Sequence, residues 1–146
     1  MNNQLTVFDC PIIQFPKSIN SVGNSTLLQN GFDGCFEIKR VYYLYDVPGG
    51  ESRGAHAHRS LRQILIAASG SFDVTLDDGQ ARRTITLSRP YTGLYIKPGI
   101  WRDISNFSSG VICLVLASEI YKAEDYIRDY NEFLNYKGVV GRHHSI

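Results

Sequence analysis

Short apolar, β-branched runs alternate with turn sequences along most of this chain. Residues 62–87, RQILIAASGSFDVTLDDGQARRTITL, predict three strands joined by two turns, and the DDGQ within them is a strong hairpin signal. Further strands are predicted in the apolar stretches 5–15, 35–47, 92–107 and 110–118. Turns about every eight to twelve residues are typical of β-sandwiches and β-barrels, so the pattern predicts an all-β fold.

The C-terminal part departs from this strand pattern. Its apolar and aromatic residues recur at helical spacing: Tyr126, Ile127, Tyr130, Phe133 and Leu134. This spacing predicts one amphipathic helix, with Gly138 as its stop. Residues 138–146 are predicted to be a flexible tail, in which His143 and His144 are frayed rather than metal-binding. No repeat or linker interrupts the chain, so 1–146 is read as a single domain.

Composition and charge exclude several classes of function. The 146 residues include 15 basic and 14 acidic side chains, and this balance gives no electrostatic case for a nucleic acid or membrane partner. The longest apolar run is about eight residues, whereas a membrane span needs about 20. The three cysteines, Cys10, Cys35 and Cys113, form no CxxC pair. We therefore expect a soluble protein of the reducing cytoplasm, without disulfides or a structural zinc site.

Two histidines in residues 50–70, GESRGAHAHRSLRQILIAASG, are the first candidates for chemistry. His56 and His58 stand two residues apart, so on a strand both imidazoles point to the same face. Such a pair can bind a metal, transfer protons near neutral pH, or fill a core as hydrogen-bonded structural side chains.

The spacing around these histidines resembles the first sequence motif of the cupin superfamily, which consists of small β-barrels of the jelly-roll type. Metal-binding cupins add a glutamate after the H-x-H pair and a third histidine from a second motif. Here Gln63 and Arg102 occupy those places. A neutral amide is a poor metal ligand, and a permanent guanidinium cation repels a divalent ion. We therefore predict no metal, and His56 and His58 remain free for acid–base work.

Longer stretches resemble a specific cupin family, the sugar-nucleotide 3,4-ketoisomerases. The similar segments lie between Phe36 and about Tyr136 and read FEIKRVYYLYDVPGGESRGAHAH, QILI, LDDG, GLYIKPGIW, DISNFSSG, LVLAS and DYIRDYNEFL. The resemblance implies conversion of dTDP-4-keto-6-deoxyglucose to a 3-keto sugar through an enediol, without metal or other cofactor. It also implies a bacterial source, a homodimer, and a product used to make 3-amino-3,6-dideoxyhexoses for O-antigen or S-layer glycans.

The resemblance assigns roles to residues around the H-x-H pair. His56 and His58 become the catalytic pair, with His56 favoured as the base at C3 and the other histidine moving protons between sugar oxygens. Arg53 is a candidate for the pyrophosphate, since its planar fork suits phosphate oxygens. Gln63 is expected to contact the sugar or to orient a histidine.

The strand KRVYYLYD offers further candidates on two opposite faces. Alternation separates Arg40 and Tyr42 from Tyr43 and Tyr45, and the residues alone do not decide which face lines the pocket. We expect Tyr43 near the substrate, and we include Arg40 among the binding residues. Trp101 is expected to stack on the base or the sugar, with a core position as the alternative.

Two departures from the family pattern concern the stereochemistry of the product. Many relatives carry Trp-His where this chain has Trp101 and Arg102. Many also carry an acidic residue, arginine and glycine where this chain has SVGN at 21–24. A histidine could deliver a proton to C4, whereas an arginine hardly can. We therefore expect the gluco-configured 3-keto product.

Three other functions remain open from the sequence. A 3,5-epimerase acting on the same nucleotide sugar is also a metal-free cupin, but it normally has a His–Asp dyad and a catalytic tyrosine, for which the sequence shows no clear match. A sugar-binding cupin without turnover would suit the loss of the metal ligands. A metal-dependent dioxygenase or isomerase would retain a bound metal ion.

Overall fold

The structure, a computed structural model, describes residues 2–31 and 35–139. The described strands, in chain order, are β1 Ile12–Gln14, β2 Lys17–Ser18, β3 Ser25–Thr26, β4 Arg40–Leu44, β5 Arg53–His58, β6 Gln63–Ser69, β7 Phe72–Asp77, β8 Arg82–Leu87, β9 Thr92–Ile96, β10 Trp101–Ser105, β11 Ile112–Ala117 and β12 Tyr126–Ile127. One α-helix, α1 Tyr130–Lys137, follows them, and 3₁₀ turns occupy Asn2–Gln4, Val7–Asp9 and Ala123–Asp125. The predicted all-β fold with a C-terminal helix is confirmed.

Two antiparallel sheets face each other and enclose the main core. The first sheet has the strand order β1-β9-β6-β11-β4, and the second has the order β12-β5-β10-β7-β8. Leu65 and Val115 from the first sheet pack against Val74, Leu76 and Ile104 from the second. The hydrogen-bond ladders thus form a sandwich of two sheets rather than one closed cylinder.

The outer face of the first sheet is covered by the N-terminal part of the chain. Ile13 and Phe15 pack on Ile64 and Ile66, which point away from the main core. Strand β6 is therefore buried on both faces, and this explains its continuous apolar run. The contact is close at Gly93, where an added Cβ would lie 2.7 Å from Phe15 Cζ and from Ile64 Cγ2.

The turn predicted at DDGQ is present in the structure. Strands β7 and β8 form the hairpin expected from DDGQ, with Gly79 at a φ of 94°. The Asp78 side chain stabilises this turn by accepting hydrogen bonds from the backbone N–H groups of Gln80 and Ala81.

The C-terminal helix is shorter than predicted. Tyr126 and Ile127 do not belong to it but form β12, which pairs with His58 and Ala57 of β5. The helix begins only after Asp129, whose side chain accepts a hydrogen bond from the Glu132 N–H as an N-cap. The helix ends as predicted, because Gly138 takes the left-handed conformation. Residues 140–146 of the predicted tail, with His143 and His144, lie outside the described residues.

Candidate active site

A cavity of about 380 Å³ lies between the two sheets and is lined by residues of both. Its polar lining residues are Arg40, Tyr42, Arg53, His56, Gln63, Arg102, Tyr126 and Arg128. Leu44, Leu65, Ile104 and Val115 supply apolar walls. A concave site in which polar groups converge beside apolar walls is suited to a small molecule with both polar and apolar parts.

The two histidines lie side by side on β5, as their spacing predicted. Their Nε2 atoms are 3.0 Å apart and their rings are perpendicular. Only His56 lines the cavity; His58 is 1% exposed and lies behind it. The expectation that both histidines contact the sugar is therefore corrected: His58 does not line the cavity but contacts His56, which does.

An aspartate that the sequence reading missed binds His58. Asp125 Oδ2 lies 2.9 Å from His58 Nδ1, and Asp125 Oδ1 accepts a hydrogen bond of 2.8 Å from the Ser60 N–H. The structure thus contains a His–Asp pair where the sequence showed no clear match. The two residues are 67 positions apart, and β12 brings them together by pairing with β5.

A second polar network crosses the inner end of the cavity. Arg102 is buried, and its Nη1 donates a hydrogen bond to Gln63 Oε1. Gln63 Nε2 in turn donates to the Tyr42 hydroxyl at 3.1 Å. The Nε and Nη2 atoms of Arg102 have no protein partner in the described structure. A buried donor without a partner is costly, so these two donors are suited to oxygen atoms of a bound ligand.

The residues do not fit a metal ion. Among the described residues, no group of three or more His, Cys, Asp and Glu side chains could hold one. Gln63 and Arg102 occupy the positions where a metal-binding cupin has a carboxylate and an imidazole. Burial lowers the pKa of Arg102 to about 10, so its guanidinium remains charged at neutral pH and opposes a nearby cation.

Burial and positive charge set the protonation of the site. Burial first, and then the charge of Arg102, lowers the pKa of both His56 and His58 to about 2. Both imidazoles are therefore neutral at neutral pH, and each has one ring nitrogen with a free lone pair. Burial raises the pKa of Tyr42, so its hydroxyl stays protonated and can donate one.

Two predicted binding residues lie outside the cavity. Tyr43 is 57% exposed on the outer face of β4, whereas Tyr42 and Arg40 line the cavity. Trp101 packs against Tyr130 and Phe133 of α1, with ring centroids 5.3 and 5.5 Å away. The cause is the same in both strands: successive side chains alternate, and Tyr42 and Arg102 take the inward positions. The expectations for Tyr43 and Trp101 are corrected.

The outer part of the cavity carries several arginines. Arg53, which the sequence suggests for the pyrophosphate, lines the cavity together with Arg40 and Arg128, and the sequence did not single out Arg128. The Arg128 guanidinium lies 4.1 Å from the ring centroid of Tyr126, and that ring packs against both histidines. Three fixed positive charges around one opening suit a phosphate-containing ligand.

The described residues contain no helix with the length and apolar content that a membrane crossing requires.

Comparison with known proteins gives a family and several similar enzymes. The family model described as FdtA, WxcM-like, C-terminal, matches residues 8–138. The chain is 44% identical over 125 residues to the TDP-4-oxo-6-deoxy-alpha-D-glucose-3,4-oxoisomerase of Aneurinibacillus thermoaerophilus, a match that covers 86% of this chain and 90% of that protein.

Two solved structures are similar in fold and in sequence. The TDP-quinovose 3,4-ketoisomerase of Campylobacter jejuni has a TM-score of 0.84 and 46% identity, over 88% of this chain and 99% of that one. A sugar 3,4-ketoisomerase of Thermoanaerobacterium thermosaccharolyticum, solved in complex with TDP, has a TM-score of 0.88 and 36% identity, over 90% and 96% of the two chains.

Proposed function

Because the chain belongs to the FdtA family and is a TDP-sugar 3,4-ketoisomerase, we propose that it converts TDP-4-keto-6-deoxyglucose into the 3-keto isomer with His56 as the base. The observation that carries this proposal is the arrangement of proton-transfer groups on facing walls. His56 projects from β5 of the second sheet, and Tyr42 projects from β4 of the first sheet into the same cavity.

The reaction moves two protons. C3 and its hydroxyl oxygen each lose one, while C4 and its oxygen each gain one, and the carbonyl moves from C4 to C3. The hydrogen at C3 is acidic because it lies next to the carbonyl, and neutral His56 is suited to accept it. Tyr42 is suited to deliver a proton to C4, because its hydroxyl accepts from Gln63 and keeps its own hydrogen for a ligand. The proton lost by the C3 hydroxyl then returns to the Tyr42 oxygen, so both protons are accounted for.

The arrangement supports the gluco product. The hydrogens at C3 and C4 lie on opposite faces of a gluco-configured ring and on the same face of a galacto-configured ring. A gluco product therefore needs proton removal and delivery from opposite sides, for which His56 and Tyr42 on facing sheets are suited. The 46% identity to a TDP-quinovose enzyme points the same way, since quinovose is 6-deoxyglucose.

The arginines of the cavity are assigned to two parts of the substrate, the pyrophosphate and the sugar. We assign the pyrophosphate of TDP to Arg53, Arg40 and Arg128 at the opening, where charged forks can bind phosphate oxygens. Arg102 is assigned to the sugar, because its unpartnered Nε and Nη2 donors can stabilise negative charge on the enediolate oxygens. Neither a metal nor another cofactor has a role in this scheme.

We also propose a domain organisation, an oligomeric state, a cellular location and a pathway for this chain. The chain acts as one cupin domain over 1–146, as a homodimer in the bacterial cytoplasm, without a nucleic acid partner. Its 3-keto product is the substrate of an aminotransferase, on the way to 3-amino-3,6-dideoxyhexoses for O-antigen or S-layer glycans.

Proton NMR of the product tests the substrate and its stereochemistry together. TDP-4-keto-6-deoxyglucose is incubated with metal-stripped protein in deuterated water. In deuterated water we expect a 3-keto sugar with deuterium at C4. When the same reaction is run in normal water, the product should show a large H4–H5 coupling, because both hydrogens are axial in the gluco product. A small coupling would indicate the galacto product. Exchange at C5 would indicate a 3,5-epimerase, and an unchanged spectrum a binding protein.

A further inference from the structure

Asp125 binds His58 but has no role in the proposed function so far. The inference drawn from this contact rests on that proposed function. We infer that Asp125 is a positioning residue that sets the tautomers of His58 and His56, so that the three side chains form a relay for the C3 proton. His58 lies between the other two: its Nδ1 is 2.9 Å from Asp125 Oδ2, and its Nε2 is 3.0 Å from His56 Nε2.

The hydrogen-bonding partners determine where the protons lie. An ionised carboxylate only accepts hydrogen bonds, so His58 must carry its proton on Nδ1 and donate it to Asp125. The neutral His58 ring then has a lone pair on Nε2. The facing Nε2 of His56 must therefore carry a proton and donate it to His58. His56 is left with a lone pair on Nδ1, which has no partner in the described structure.

The surroundings hold Asp125 in its orientation. Its Oδ1 accepts from the Ser60 N–H at 2.8 Å and from the Ser60 hydroxyl at 2.9 Å, and its Oδ2 also accepts from the Leu61 N–H at 3.3 Å. Its backbone carbonyl accepts a hydrogen bond from the Arg59 N–H. The carboxylate is thus tied to the segment that follows His58 and cannot rotate away without breaking several hydrogen bonds.

The relay describes one balanced step. The C3–H bond breaks, its proton binds to His56 Nδ1, and its electron pair forms the C3–C4 double bond as the carbonyl π electrons move to O4. The Nε2 proton of His56 passes to His58 Nε2. His58 becomes an imidazolium, and the Asp125 carboxylate next to its Nδ1–H stabilises that charge. No electron leaves or enters the site. When the Nε2 proton returns from His58, the Nδ1 proton of His56 passes to O4, so the proton taken from C3 ends on O4 and His56 regains its starting state.

Nitrogen-15 NMR of the histidine rings tests the tautomers without any turnover. In the ligand-free wild-type protein we expect His58 to be protonated on Nδ1 and His56 on Nε2, with assignments from the His56→Asn and His58→Asn spectra. The opposite tautomer at His58 in the wild-type protein would overturn the inference, whatever the variants do.

The substitution Asp125→Asn tests whether the carboxylate sets these tautomers. An amide in place of the carboxylate must present an N–H either to His58 Nδ1 or to the Ser60 N–H, so the hydrogen-bonding pattern cannot be conserved. We expect the His58 tautomer to reverse and kcat to fall by about 10² to 10⁴-fold, the range of general acid–base groups, with little change in TDP affinity. Asp129→Asn removes the same charge four positions away and keeps a good N-cap, so it should retain wild-type kcat and tautomers.

Other results would contradict the relay. An unchanged kcat in Asp125→Asn, or a lower kcat with wild-type tautomers, would give Asp125 only a structural role. A wild-type protein with the expected tautomers but without ketoisomerase turnover would instead contradict the proposed function. If Asp125→Asn does not fold, the wild-type tautomers still decide the inference.

Discussion

Arg102 donates a hydrogen bond to Gln63, so the two positions at which this chain departs from a metal-binding cupin bind each other. Both side chains are buried at the inner end of the cavity. A guanidinium with two unpartnered donors therefore lies where another cupin holds a metal ion. A permanent cation can stabilise developing negative charge on sugar oxygens, as a metal would, without a coordination sphere.

Arg102→Met tests this role of the buried cation. We expect kcat/KM to fall at least about 10²-fold, because the variant loses the donors that face the enediolate. The thermal midpoint of the ligand-free protein should change little, since removal of a buried charge offsets the unpaired Gln63 oxygen. Differential scanning calorimetry and steady-state kinetics measure both effects. Arg89→Met, at an exposed position, is the charge-matched control. Wild-type turnover in Arg102→Met would contradict the assignment.

Tyr42→Phe tests the second proton-transfer group. The variant keeps the ring and loses the hydroxyl that Gln63 binds at 3.1 Å. We expect kcat to fall by about 10² to 10⁴-fold while TDP affinity is retained. Tyr43→Phe makes the same change on the exposed face of β4 and should leave kcat unchanged. Equal effects of the two substitutions would show that β4 does not present Tyr42 to the substrate.

The same pair of tyrosines shows what sequence patterns can and cannot predict. Alternation on β4 predicts two faces, but tyrosines occupy both, so only the packing against β11 determines that Tyr42 points inward. The H-x-H strand and the DDGQ hairpin were predictable because their signals are local. Asp125 and Tyr126 were not. The spacing of Tyr126 suggested a helix, whereas pairing with β5, far away in the sequence, makes Tyr126 part of a strand and brings Asp125 to His58.

The buried histidines make stability depend on pH. His56 and His58 stay neutral in the folded protein because their pKa values are lowered to about 2, whereas an unfolded histidine binds a proton below about pH 6.5. The unfolded state therefore binds more protons as the pH falls, and stability decreases. Each histidine contributes a loss of about 1.4 kcal/mol between about pH 7.5 and pH 5.5.

Urea denaturation at the two pH values measures this loss. The His56→Asn variant has one titrating imidazole fewer, so its free energy of unfolding should fall by about 1.4 kcal/mol less than that of the wild-type protein. The same fall in both proteins would mean that His56 titrates normally in the folded state.

The exposed face of β4 predicts a homodimer. Val41 and Tyr43 on β4, and Tyr45 just after it, are 55%, 57% and 62% exposed, and β4 lies at the edge of the first sheet among the described strands. Apolar side chains on an open edge favour pairing with another copy. We expect light scattering to give the mass of a dimer, and Val41→Asp to shift the protein towards the monomer because it places a charge in the contact. A monomeric wild-type protein at micromolar concentration would contradict this prediction.

The role of His56 as the base is tested by incubating wild-type protein and His56→Asn with TDP-4-keto-6-deoxyglucose in deuterated water. Proton NMR follows the signal of the hydrogen at C3. We predict that the wild-type protein removes this hydrogen and forms the 3-keto sugar, whereas His56→Asn binds TDP normally but leaves the C3 signal intact. Loss of the C3 signal at the wild-type rate in His56→Asn would contradict the assignment of His56 as the base, and with it the proposed mechanism.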